Sequence, residues 1–164
     1  MQQVVGMADL KISSSQDDVL ITFGLGSCLG VTVYDPVSRV GGMLHVMLPQ
    51  PAPDLEKPLD NPYMFVDSGV PRLFLGCYSA GARKERIIVK AAGGACIGDS
   101  EEGDPFQIGR QNFSMLKKVL SRNGVLLQSF DVGGGAWRTM SLDLGTGDVR
   151  VRTDGDEAFE GALL

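Results

Sequence analysis

Residues 21–35 read ITFGLGSCLGVTVYD: a β-branched and aromatic run, a turn of small residues carrying one cysteine, then a second alternating run. Val, Ile, Thr and Phe in DVLITFGLG favour an extended strand. In CLGVTVYD the two-residue period places Leu29, Val31 and Val33 on one face and Thr32 and Tyr34 on the other. DPVSRVGG follows as a hairpin connection, with Pro36 suited to the second turn position, and GMLHVMLP is a further strand. Three consecutive strands with short links predict an antiparallel meander that carries both Cys28 and His45.

Working outward, QQVVGMADLKISS reads as an opening strand ended by a polar turn at Ser13–Asp18. After the meander the texture becomes Pro-rich over residues 49–62, long enough to suggest a functional rim. A helix is expected from an Asn61 cap and Pro62, with Phe65, Val66, Val70, Leu73, Phe74 and Cys77 in a three-four stripe. Pro71 would kink or divide it, and Gly81 stands where it should end. RIIVKAAGG is a strand, CIGDSEEGDPF a loop, and IGRQNFSMLKKVLSRNG a second helix with Leu116, Val119 and Leu120 apolar. VLLQSFDVGGG and RTMSLDLGTGDVRVRT add closing strands, the last two joined at GTGD. The pattern predicts an α+β fold: a layered α/β sandwich whose mixed or mainly antiparallel sheet is covered by two helices. Residues 1–153 form one domain, and the acidic tail 154–164 is expected to be mobile or a partner-dependent helix.

Composition narrows the function. The 164-residue chain has formal charge −5 and no basic stripe, which argues against nucleic-acid or anionic-lipid partners. No apolar run approaches membrane-spanning length, and the N-terminus lacks a cationic segment followed by an apolar core. Three irregularly spaced cysteines, Cys28, Cys77 and Cys96, suggest no disulfide framework, and a single histidine argues against a zinc site. The cytoplasm is the consistent compartment.

GLGSCLG is not a dinucleotide loop: a strand follows where a helix is required, and Leu29 stands where the third glycine belongs. Nor is it a serine-nucleophile elbow, since Ser27 lacks a glycine two residues before it. What remains is the thiol, which attacks as thiolate and needs a base beside it at neutral pH. His45 is the only histidine, and Thr22 carries a hydroxyl that could orient it. Gly24, Gly26 and Ser27 would let a substrate approach and free amides for an oxyanion. Read only from residue types, Cys28 could equally be a small buried hydrophobe, His45 a satisfied sheet-end histidine and Thr22 an ordinary strand residue. Cys77 and Cys96 read as core or incidental.

The ordered set GLGSCLGVTVYD, GGMLHVMLP, KAAGGA, IGRQN and DVGGG, spanning about residues 3–153, resembles the CheD family of chemoreceptor glutamine deamidases. The resemblance implies an α/β sandwich with Cys28 as nucleophile, His45 as general base and acid, and Thr22 as third member of the site. It implies chemoreceptor glutamines as substrate, methyl esters as a possible second one, no metal or organic cofactor, and a CheC-type phosphatase as partner. Gly26 and Ser27 are then candidates for substrate binding and Phe106 for docking the phosphatase, although Phe106 could equally pack inward as a helix-start staple. The glycines after Asp131 join residues 49–62 as candidates for the cleft rim. Trp137 departs from the family, which more often has glycine before the arginine.

Overall fold

The computed structural model describes residues 1–52, 61–97, 106–155 and 161–164. Among these, ten strands form two five-stranded sheets. The first sheet runs β1 (Gln2–Val4), β3 (Val19–Leu25), β8 (Arg138–Asp143), β9 (Val149–Thr153) and β10 (Ala162–Leu163). The second runs β2 (Asp9–Ser13), β5 (Val40–Val46), β4 (Leu29–Asp35), β6 (Ile88–Gly93) and β7 (Leu127–Val132). Pairing is mixed: β1 with β3 and β6 with β7 are parallel, and the other neighbours are antiparallel. Two helices, α1 (Val66–Ser79) and α2 (Ile108–Arg122), complete the expected α+β sandwich.

Strands β4 and β5 are buried along their whole length because both faces are covered. One face, Leu29, Val31, Val33, Leu44 and Val46, joins Val70, Leu73 and Phe74 of α1 and Leu116, Val119 and Leu120 of α2. The other, with Tyr34 and Met43, packs against Leu20, Leu25, Met140 and Leu142 of the first sheet. The order of layers is therefore sheet, sheet, helices.

The division into two sheets corrects the expected three-strand meander. Only β4 and β5 form a hairpin, and β3 lies in the opposite sheet. Gly24, at φ +69°, interrupts the β3–β8 register between Thr22↔Met140 and Leu25↔Arg138. The chain then crosses to the second sheet through residues 26–28, so Cys28 sits at a sheet-to-sheet crossing.

The first helix also differs from expectation. The Asn61 side chain accepts from the Tyr63 amide at 3.0 Å, but it caps a short 3-10 turn, Pro62–Met64. Extended Phe65, bridged to Leu48, separates that turn from α1. Pro71 lies inside α1 without dividing it, at the expense of one backbone hydrogen bond. Gly81, at φ +116°, follows the helix end as expected.

The last described residues of the chain carry a short strand, not a helix. Ala162 and Leu163 pair with Val151 and Arg150, the Leu164 amide donates to the Val149 carbonyl at 2.9 Å, and Lys90 Nζ donates to a Leu164 oxygen. The strand covers an edge that β9 would otherwise leave unpaired. Much of the proposed Pro-rich rim (53–60), most of the acidic loop (98–105) and residues 156–160 lie outside the described residues. No helix among those described is long and apolar enough to cross a membrane.

Candidate active site

The two-residue strand period decides where the key side chains go. His45 pairs with Gly30 across β4–β5, on the face that packs against the first sheet. A Cβ added to Gly30 would meet Met140 Sδ at 2.8 Å and Thr22 Cγ2 at 3.5 Å, which locates Thr22 opposite that pair. Cys28, two residues before Gly30, is half-buried against the same inter-sheet cluster.

Thr22 and His45 are both buried and in direct contact. Thr22 Oγ1 lies 2.7 Å from the Val5 carbonyl and 2.7 Å from His45 Nδ1. A hydroxyl has one hydrogen, and a carbonyl only accepts, so the threonine donates to Val5 and accepts from Nδ1–H. This assigns the tautomer: the His45 Nε2 atom carries the lone pair. That atom is buried and has no hydrogen-bond partner among the described residues. A histidine held this way is ready to take a proton.

Burial lowers the His45 pKa from 6.5 to about 4. Burial likewise raises the Cys28 thiol, with its own backbone amide acting weakly in the opposite sense. Burial thus favours the uncharged form of both groups, and no hydrogen bond joins His45 Nε2 to the thiol. Alkylation of Cys28 by iodoacetamide should accordingly keep rising through pH 9, whereas a plateau reached below pH 7 would reveal a preformed thiolate. The histidine shift has a stability sign as well. The unfolded chain takes up a proton below about pH 6.5 that the native state refuses until about pH 4, so this contribution is lost as pH falls across that window.

The crossing turn is tightly held. The Gly26 amide donates to the Gly24 carbonyl at 3.0 Å, so it is not a free oxyanion donor as the sequence suggested. The Gly26 and Cys28 carbonyls accept from Ala95 and Gly94, each at 2.8 Å. The Ser27 and Cys28 amides donate to no carbonyl oxygen among the described residues. Trp137, 46% exposed, lies against the turn: a Cβ on Gly26 would stand 2.7 Å from its Cζ3. The indole thus walls the crossing.

Several neighbours escaped sequence reasoning. Asn112 of α2 is fully buried and donates to the Ser27 carbonyl at 2.9 Å and the Met47 carbonyl at 3.1 Å. Its signal was present: it occupies the same helical stripe as Leu116, Val119 and Leu120, where a polar residue is out of place. Arg138, also buried, donates to the Gly93 and Gly133 carbonyls and to Asp131, tying together the glycine corners beside the crossing. Phe106 is 70% exposed rather than packed inward. Cys77 is buried in the helix-side core, and Cys96 is exposed, lining a cavity of about 300 Å³ with Gly94, Gln107, Arg110 and Gly133.

The site can be set beside known proteins. The family model described as CheD chemotactic sensory transduction matches residues 47–153. The probable chemoreceptor glutamine deamidase CheD 1 of Syntrophus aciditrophicus is 43% identical over 152 residues, covering 93% of this chain and 94% of that protein. The chain belongs to the CheD family. The CheD protein of Solibacter usitatus, also a probable chemoreceptor glutamine deamidase, is 40% identical over 156 residues, 95% of this chain and 91% of its own. The CheD of Pyrococcus horikoshii, with the same description, is 38% identical over 148 residues and covers 90% of each chain. The first two of these matches are too long to leave out Thr22, Cys28 or His45. Among solved structures, the Neisseria meningitidis protein NMB0706 is similar with a TM-score of 0.43 and 10% identity, over 80% of this chain and 62% of that one.

Proposed function

We propose that this chain is a cytoplasmic protein-glutamine deamidase of chemotaxis, converting glutamine side chains of chemoreceptors to glutamate through a Cys28 thioester. The observation that carries the reading is the Thr22–His45 contact, which leaves a buried imidazole lone pair in the layer that Cys28 enters. Family membership supplies the substrate class, because the relatives are described as chemoreceptor glutamine deamidases.

In this mechanism His45 Nε2 takes the thiol proton as sulfur forms a bond to the carboxamide carbon. The carbonyl electron pair moves onto oxygen, and the Ser27 and Cys28 amides, which donate to no carbonyl oxygen among the described residues, receive the developing charge. The imidazolium then protonates the departing nitrogen, the C–N bond breaks, and ammonia leaves a thioester. His45 next deprotonates water, hydroxide adds to the thioester, the C–S bond breaks, and the imidazolium returns its proton to the sulfur, leaving the free thiol and a glutamic acid that ionises to glutamate. A glutamyl methyl ester would follow the same path with methanol as leaving group. None of these steps requires a metal or organic cofactor. Gly26 contributes by its small size, and Trp137 forms one wall of the approach.

Incubation with a chemoreceptor cytoplasmic fragment should produce the mass gain of Gln-to-Glu conversion at specific sites. If the unmutated protein converts no glutamine yet still binds a CheC-type phosphatase, the chain is instead a non-catalytic regulator. The exposed Phe106 ring supports such a docking contact in either case.

Thr22 offers a finer test. Thr22→Val keeps the side-chain shape but removes the acceptor for Nδ1–H and the donor to Val5. Losing a buried hydrogen bond costs about 1–3 kcal/mol, so kcat should fall roughly 5- to 150-fold if that energy is expressed in the transition state. Steady-state kinetics on the receptor fragment would show it, and an unchanged kcat would remove Thr22 from the site.

A further inference from the structure

We propose that Asn112 is a positioning residue that sets the distance between the nucleophile turn and the base strand, an inference that rests on the deamidase reading. Its single side-chain amide group uses both hydrogens, one on the Ser27 carbonyl at 2.9 Å and one on the Met47 carbonyl at 3.1 Å. Ser27 immediately precedes Cys28, and Met47 lies two residues beyond His45. One planar group from α2 therefore spans the segment that presents the thiol and the segment that presents the imidazole. Short of the strand ladder, no other side chain among the described residues hydrogen-bonds to both.

The cost of Asn112 points the same way. It occupies the apolar stripe of α2, fully buried, and its Oδ1 has no hydrogen-bond partner among the described residues. A leucine there would avoid both penalties. The helix, in turn, is seated firmly on the crossing. A Cβ on Gly109 would stand 2.5 Å from the Gly94 and Ala95 carbonyl oxygens, so no other residue permits this approach. The amides of those same two residues hold the Cys28 and Gly26 carbonyls. Helix, glycine corner and turn thus form one unit, and Asn112 extends it to the end of β5. Small displacements of a nucleophile from its base are expensive in rate, which is what such a clamp prevents.

The test compares Asn112→Asp, nearly isosteric but with an ionised oxygen facing two carbonyls, with Asn112→Ala. Both are assayed at a temperature where circular dichroism shows them folded. In each, kcat for receptor deamidation should fall at least about tenfold while KM stays within about twofold. Iodoacetamide alkylation of Cys28, which needs no receptor, should accelerate several-fold as Ser27 loses its tether. If Asn112→Asp does not fold, Asn112→Ala carries both measurements. Unchanged kcat and alkylation in a folded variant, or a rise in KM alone, would overturn the assignment. If the unmutated protein deamidates nothing, the deamidase reading fails, and the alkylation rate still decides whether Asn112 holds the turn.

Discussion

Cys28→Ala protein should leave receptor glutamines unconverted, with activity reduced by at least about 10³-fold. The sulfur is the atom that bonds to the substrate carbon in the proposed mechanism, and no other thiol can replace it. Cys77 is buried in the helix-side core, where desolvation pushes its pKa up to about 12. Cys96 is exposed and lines the neighbouring cavity instead of the inter-sheet layer. Cys77→Ala and Cys96→Ser should therefore retain deamidation. The fold should tolerate Cys28→Ala well, because the side chain is only half-buried and its carbonyl, held by Gly94, is unaffected. Mass spectrometry of the receptor fragment measures the outcome, and full conversion by the Cys28→Ala protein would end the nucleophile assignment.

Gly93→Ala should damage stability and activity together. Gly93 has φ +112°, and a Cβ there would stand 2.2 Å from the Cys28 carbonyl oxygen. The clash is with backbone, so no side-chain rotation relieves it. Either the β6 end or the nucleophile turn must move, and the Gly94–Cys28, Gly133–Gly93 and Arg138–Gly93 hydrogen bonds are strained with it. A loss of roughly 3 kcal/mol is expected from left-handed strain and overpacking combined, equivalent to a fall in Tm of about 10 °C. Gly155→Ala is the comparison: φ is +90°, but its Cβ would meet nothing within 4 Å among the described residues, so conformational strain dominates. That variant should lose only about 1–2 kcal/mol and keep full activity. Thermal unfolding and deamidation assays separate the two, and equal effects would show that the contact with Cys28 is unimportant.

Both predictions turn on residues 24–30 and on what reaches them from far along the chain. Local pattern was enough to read the strands on either side of Cys28, α2, and the closing strands, because alternation and helical stripes are written in short windows. The same windows made β3, β4 and β5 look like one meander. Gly24 was visible as a turn residue, but its effect, sending the chain from one sheet to the other, depends on Met140 and Arg138 pairing with Thr22 and Leu25. Likewise nothing local marks Ala162 and Leu163 as a strand until β9 offers them an edge.

The division of labour for the site is similar. Residue types and order alone showed a thiol in a small-residue turn, a single histidine and a threonine upstream, groups that suit nucleophile chemistry but suit ordinary packing as well. Only the tertiary structure decided that Thr22 accepts from Nδ1, that the Gly26 amide is occupied, and that Asn112 bridges Ser27 and Met47. The reason is physical. A hydrogen bond over 85 residues of separation, or a tautomer set by a carbonyl just beyond another strand, is decided by which surfaces pack together, and that information is spread over the whole chain.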